Sequence, residues 1–416
     1  MRLPKYSLGM GDRFARQGAF QLEAILRAVE AGVHVAPVWN KSHREHVITG
    51  TEPADVRAEA DAAVRARGYK EPYFVDADHI RLDTIDAFLA PSDFFTLDVA
   101  DFIGAEAPEE DRRRLVDRCE RWAGSVPIPG LEQPLEVPRE TMEAAASKYL
   151  RAVQEAGRLY RYIRDRKPEN GFITEVSFDE TDEPQTPAEL LLILAAVAEE
   201  GIAADTIAPR FPGRFNKGVD YVGDVARFAR EFEQDVAVVA YAAGEFGLPE
   251  SLKLSVHSGS DKFSIYGPMR LALRKFDAGI HVKTAGTTWL EELIGLAEAG
   301  GDGLALAKEI YREARHRFDE MCAPYAAVID IDPGALPSAE KVDCMSGPEY
   351  AASLRHDPTD PAYNPHFRQL LHVGFKVAAE MGDRYLDVLR RHSDVVGRDV
   401  TENLYERHIR PLFLED

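Results

Sequence analysis

Short runs of apolar, β-branched and aromatic residues recur along the first 290 residues, and segments with apolar positions three and four apart follow most of them. In order the runs are "YSLGMGDR", "VHVAPVWNKS", "PYFVDADHI", "FFTLDV", "FITEVSFDET", "DTIAPRF", "LKLSVHSGSD" and "IHVKTAG", which predict eight strands. Helical spacing falls at 15–32, 54–68, 80–90, 106–123, 139–166, 187–201, 219–247 and 262–278. Strands that alternate with helices are expected to be parallel, because each crossover needs a helix to return the chain. Eight such units over residues 1–290 predict an α/β fold of the (β/α)8 TIM-type barrel kind, whose usual length is about 250 residues. A doubly wound open sheet is the competing arrangement.

Two pieces depart from the repeat. Residues 125–138, "SVPIPGLEQPLEVP", read as a small Pro-rich excursion of hairpin type. After residue 287 strand patterning stops and helical spacing continues at 287–299, 302–322, 366–381, 383–392 and 400–411, with a loop at 354–365. No Gly/Ser-rich or charged linker separates the parts, so residues 291–416 are expected to be an α-helical C-terminal extension packed on the barrel.

The polar residues cluster where each strand should end: Asp12 and Arg13, Asn40 and Lys41, Asp78 and His79, Asp98, Asp179 and Glu180, Arg210, His257, and Lys283 with Thr284. In a barrel these ends share one mouth, where active sites form. Asp76 and Asp78 alternate onto one face of the third strand, and His79 is read as lying just past its end. His79 and His257, from strands on opposite sides of the mouth, could together hold a divalent ion such as Zn, Mn, Co, Ni or Fe. His281 is the next candidate ligand, although it falls early in its strand; His34, His43, His46 and His372 are set aside as structural.

Glu175, Ser177 and Asp179 also alternate onto one face, and a carboxylate inside a barrel must serve a metal or substrate or pair with a cation such as Lys253 or Lys283. Glu180 to Glu183 read as a solvated loop. Lys283 could form a Schiff base, bind a substrate carboxylate or simply pair with a carboxylate. Arg13, Arg210, Asp261 and Lys262 are further substrate-binding candidates, with arginine better suited to a carboxylate through its two-pronged fork.

Composition narrows the classes. A formal charge of −21 and 45% hydrophobic residues in 416 indicate a large core and argue against nucleic acid or anionic membrane as partners. An anionic substrate would need locally placed Lys or Arg. No apolar run approaches the roughly 20 residues that span a bilayer, and the first six residues lack a signal-peptide core. Cys119, Cys322 and Cys344 are too few and scattered for a disulfide framework or thiolate cluster, so the cytoplasm is the expected location. "GMGDRF" lacks the third glycine of a dinucleotide fingerprint, and neither a Walker loop nor a Gly-x-Ser-x-Gly element occurs.

In order, "DADH", "EVSFDET", "SVHSGSDKFS" and "HVKTAGT" resemble the tagaturonate/fructuronate epimerase family of bacterial hexuronate metabolism. The agreement runs from about Met10 to residue 290, with weaker similarity through "LLHVGFK" near His372, and "HSGSDKFS" together with "HVKTAGT" is its specific part. The resemblance implies a metal-dependent sugar-acid epimerase that inverts a carbinol carbon next to a ketone. Asp78 matches the family's proton acceptor, Glu175 its proton donor, and His79 and His257 its metal ligands; His281 is a third ligand from the strand pattern alone. The chain departs from some relatives in beginning almost at "YSLGMGDR" and in carrying "RFPGRFNKG", residues 210–218, where a relative is more acidic. Inversion by proton transfer and by retro-aldol cleavage are both open. A sugar-acid aldolase using the metal or a Schiff base at Lys283 is the rival enzyme, a non-catalytic sugar-acid binding protein the rival outside catalysis, and a homo-oligomer remains open.

Overall fold

The computed structural model describes residues 1–167, 171–181, 183–284 and 286–414. Asp182 of the acidic loop, Ala285 of "HVKTAGT" and the last two residues of the expected extension lie outside them.

All eight expected strands form: β1 (Tyr6–Gly11), β2 (Val35–Ser42), β3 (Phe74–Ile80), β4 (Phe94–Asp98), β5 (Ile173–Ser177), β6 (Thr206–Ala208), β7 (Lys253–His257) and β8 (Ile280–Lys283). Each pairs in parallel with its neighbours, and β8 closes on β1 with Tyr6 opposite Ile280 and Gly9 opposite Lys283. Closure removes the sheet edges and excludes the open-sheet alternative. The excursion is a hairpin in which Gly124–Val126 pairs antiparallel with Leu135–Val137.

Helices cover the outside, with three departures from expectation. Of 80–90 only Asp86–Leu89 is helical, because β3 itself runs on through Ile80. His43–Thr49 forms an additional helix, started by a reciprocal cap in which Ser42 Oγ accepts from Glu45 N–H and the Glu45 carboxylate accepts from Ser42 N–H. The expected start at 219 moves to Val225, where Asp224 accepts hydrogen bonds from Ala226 N and Arg227 N at 2.9 and 3.0 Å.

Inside the barrel the strands carry an apolar floor and polar upper layers. Leu3, Ala36, Val38, Phe74, Phe94 and Ile173 make the floor. Above them Ser7, Ser255 and His281 lie in register across neighbouring strands, then Asp76, Thr96, Glu175, Thr206 and Lys283. The outward residues, such as Leu8, Met10, Val75, Ala77, Phe95 and Leu97, belong to the large core under the helices. The same two-residue alternation thus separates structural packing from chemistry.

Helix Thr287–Ala299 crosses residue 290 and packs against Gly347–Leu354 and Ser393–Glu402 of the extension. The expected helices of the extension are broken at Arg317 and Gly374, and the chain ends in a wider π-type coil over Asn403–Leu414 that packs on helix Phe263–Lys275. Helix Pro365–Val373 reaches the loop after β7 through Arg368, so the extension roofs one side of the mouth. Among the described residues no helix is long and apolar enough to cross a membrane.

Candidate active site

Lys283 stands at the centre of the polar layer. Its ammonium lies 2.8 Å from Asp76 Oδ2, 2.9 Å from Asp78 Oδ1 and 2.8 Å from Glu175 Oε1, and donates to Thr96 Oγ1 at 2.6 Å. The stem needs space beside β1: a methyl on Gly9 would come within 2.8 Å of Lys283 Cγ, which explains a glycine inside that strand. Of the two lysines considered as partners for Glu175, Lys253 turns away to the backbone carbonyls of Leu3 and Lys5 at the barrel floor.

Burial alone would discharge the Lys283 ammonium, yet Asp76, Asp78 and Glu175 outweigh it and hold it protonated far above the ordinary lysine range. Burial likewise pushes the carboxyls up. In Asp78 and Glu175 the cation Lys283 wins, aided by His79 and His257 at Asp78 and by His257 at Glu175, and both stay ionised. Asp76 is left above its usual value by burial despite Lys283, with the like charges of Asp78 and Glu175 beside it.

A second group adjoins the first. One extra residue is inserted in β3 against β4 between Ala77 and Ile80, and His79 within it takes a left-handed φ of 52°. A bulge of this kind re-aims a side chain, and a non-glycine residue there stores strain that active sites commonly carry. The bulge turns His79 to the mouth from within the strand instead of from beyond its end, 5.2 Å from His257 ring to ring. His79, His257 and Asp179 then offer ligand atoms that all lie within 4.8 Å of one another.

His257 links the two groups. Its Nε2 is 2.7 Å from Glu175 Oε1, which in turn accepts from Thr96, while Thr206 donates to Oε2 at 2.7 Å. Its Nδ1 is in ion-pair contact with Asp179 Oδ2 at 2.9 Å, and Nδ1 of His79 is buried without a hydrogen-bond partner among the described residues. Two imidazoles together with a carboxylate are a donor set that suits a divalent transition metal.

The other expected residues are dispersed. His281 sits a layer below, with Nδ1 2.9 Å from Ser7 Oγ and its ring on Phe94; burial pushes its pKa down to about 3, and it is not part of the three-residue group. Asp179, which alternation had placed on the Glu175 face, stands where His281 was expected. Asp261 and Lys262 are enclosed. Asp261 accepts from Arg368 at 2.7 Å and Thr287 at 3.2 Å and faces His356 at 3.0 Å and His408 at 3.2 Å, while Lys262 donates to the carbonyls of Asn216 and Val219 at 3.0 and 2.8 Å. These two anticipated substrate contacts hold loops instead, because every polar atom they carry is already used by the protein.

Arg13 is at the mouth, paired with Glu45 and lying 4.0 Å over Phe375. Arg210 donates to the Asp179 carbonyl at 3.4 Å, beside the three-residue group. Asn40, in register with Asp76, has both side-chain polar atoms buried without a hydrogen-bond partner among the described residues.

The family model described as tagaturonate epimerase matches residues 1–412. A tagaturonate/fructuronate epimerase of Thermotoga maritima is 28% identical over 417 residues, spanning 97% of this chain and 80% of that protein. Glycerol-bound and native crystal structures of a fructuronate-tagaturonate epimerase from Cohnella laeviribosi superpose with TM-scores of 0.81 and 0.79, at 25% identity, over 99% of this chain and 82% of theirs.

Proposed function

Since the chain belongs to the tagaturonate epimerase family, and so is a carbohydrate isomerase of the epimerase class, we propose that it interconverts tagaturonate and fructuronate with a divalent metal held by His79, Asp179 and His257. The carrying observation is the Lys283–Asp78–Glu175 cluster joined through His257 to that three-residue group. A cation there would act as a Lewis acid, stabilising negative charge as it develops on the substrate's ketone oxygen.

The stereochemistry of the sugar pair selects the route. Fructose and tagatose differ at the carbinol one carbon beyond the position adjacent to the ketone, and the uronates named after them keep that relation. Removal of a proton next to the ketone therefore cannot interconvert them, and the carbon expected to be inverted moves by one. Retro-aldol cleavage reaches it. Asp78 takes the proton of the carbinol hydroxyl, the oxygen's electron pair forms an aldehyde, and the carbon–carbon bond toward the ketone breaks to leave an enolate. The aldehyde turns over and is attacked on its other face, and Asp78 returns the proton to the new alkoxide.

Such a cycle uses one carboxylate for both transfers. It suits a site in which Asp78 and Glu175 share a single ammonium, since bases on opposite faces of the substrate would be held apart. Glu175, whose acceptors are taken by His257, Lys283, Thr96 and Thr206, then keeps Lys283 charged and fixes the ring of His257, as carboxylates do behind metal-binding histidines. Lys283 is poorly suited to a Schiff base, which needs the neutral amine.

The test is conversion of tagaturonate in heavy water by metal-stripped protein resupplied with Mn²⁺, Zn²⁺, Co²⁺, Ni²⁺ or Fe²⁺. Fructuronate should appear, with hydrogen at the inverted carbon retained from substrate. Absence of product with every ion would reject the activity, and solvent deuterium at the inverted carbon would reject the retro-aldol route.

A further inference from the structure

The basic segment 210–218 has one side chain that none of the groups above uses. Lys217 is half-buried, and among the described residues its ammonium makes no hydrogen bond and no ion pair. It reaches the rim of the site beside Gly259, where a Cβ would lie 3.5 Å from its Nζ. Gly259 adopts a φ of 67°, and its carbonyl accepts from Gly286 N at 2.9 Å. Gly286 in turn lies directly under His372: a Cβ there would be 1.8 Å from His372 Nε2, which is buried without a hydrogen-bond partner among the described residues. His372 also packs on Gly218, where a Cβ would stand 3.3 Å from its own. Lys217 and His372 thus each lie against one of two glycines that are hydrogen-bonded to one another. Arg13, whose Nε is also buried and unpartnered, approaches from the end of β1.

We propose that Lys217, with Arg13 and His372, forms the subsite that receives the carboxylate of the sugar acid. Lys217 carries three donors and no acceptor, so a ligand held there must bring acceptors, and an anion matches it best. The charged groups acting on Lys217 come from three strand ends: Arg13 after β1, Arg44 and Glu45 after β2, and Glu180 after β5. A point within reach of all three ends lies over the mouth. The two carboxylates among them stay beyond ion-pair distance, although acidic residues outnumber basic ones 71 to 50 in this chain.

The position is built. Lys262 holds the carbonyls of Asn216 and Val219 on either side of Lys217, Arg368 holds the carbonyl of Gly218 at 2.7 Å, Ser260 Oγ accepts from Gly218 N at 2.9 Å, and Lys217 N donates to Val328 O at 2.8 Å. The enclosed polar residues of "HSGSDKFS" therefore have a purpose at one remove: they fix the backbone that presents Lys217.

The proposal rests on the epimerase reading for the identity of the acid, so binding and turnover are tested separately. Lys217→Met should raise KM for tagaturonate about 10- to 100-fold, the worth of a charge-assisted hydrogen bond, with the loss falling on KM more than on kcat, and Lys217→Arg should recover most of it. By titration calorimetry, galactonate should lose a similar factor in affinity for Lys217→Met while its uncharged counterpart galactitol is unaffected. Unchanged KM and unchanged galactonate affinity would overturn the subsite, as would equal losses for galactonate and galactitol. A wild-type protein that binds galactonate through Lys217 but does not turn over tagaturonate would overturn the epimerase reading alone.

Discussion

Replacing Lys283 with Met keeps the stem's volume and removes the charge that three buried carboxylates share at 2.8–2.9 Å. Removing one partner from a buried ion pair costs on the order of 3–5 kcal/mol, because the remaining charge has no compensation. The loss has a definite pH signature. The least costly relief is for the folded protein to bind one proton in place of the ammonium's charge. Holding a carboxyl neutral when its unfolded pKa is about 4 costs ~1.4 kcal/mol per pH unit above that value, so about 4 kcal/mol at pH 7 and about 1.4 at pH 5.

The sign follows from linkage. In the variant the carboxyl's folded pKa rises, so the folded state binds the extra proton and stability falls as pH increases through that range. In the wild type Asp78 and Glu175 are depressed, so their contribution is present above the unfolded carboxyl pKa and is lost only as pH falls toward their folded values. Lys283 itself is raised, and its contribution fades only in strong alkali. Urea unfolding of wild type and Lys283→Met, both metal-stripped, at pH 7 and pH 5 should show a deficit that shrinks by about 2–3 kcal/mol at the lower pH. A deficit equal at both values would refute the shared-charge account. Borohydride with substrate should trap no adduct on wild-type Lys283.

Glu175→Gln should weaken metal binding about 10- to 100-fold through loss of the acceptor behind His257, measured by competition with a chelator; wild-type affinity with lost turnover would instead restore Glu175 as the proton donor. Gly9→Ala drives a methyl against the Lys283 stem and should lower both stability, by about 1–3 kcal/mol, and activity; an unperturbed enzyme would show that the stem has room to shift. Asp261→Asn should destabilise by about 3–5 kcal/mol by leaving Arg368 without its carboxylate, in urea unfolding, and a normal unfolding profile with raised KM would return Asp261 to substrate contact.

The resemblance and the residue pattern named most of the residues that the structure brings together, and some that it keeps apart. Asp78, Glu175, His79, His257 and Lys283 do converge. Strand alternation found Asp179 on the Glu175 face without a reason to choose it over His281, because period two gives the direction of a side chain and not its depth. His281 and Lys283 point the same way, and only the stagger between strands makes one a buried neighbour of Ser7 and the other the hub of the site. Asp261 and Lys262 looked like ligands for substrate because a polar loop after a strand usually is exposed; here Arg368, His356 and His408 of the extension take up Asp261, and the carbonyls of Asn216 and Val219 take up Lys262.

By itself the sequence determined the eight-fold strand and helix alternation, the inward polar face of each strand and the family, since these depend on local periodicity and on short contiguous motifs. Barrel closure decided that Lys283 meets Asp78 across a sequence separation of 205, and the unpaired residue in β3 decided where His79 points. Lys217 showed in the sequence only as one basic residue of the segment 210–218. It becomes part of the mouth because Lys262, Arg368 and Ser260 pin its loop from distant segments, and contacts of that range exist only once the whole chain has packed.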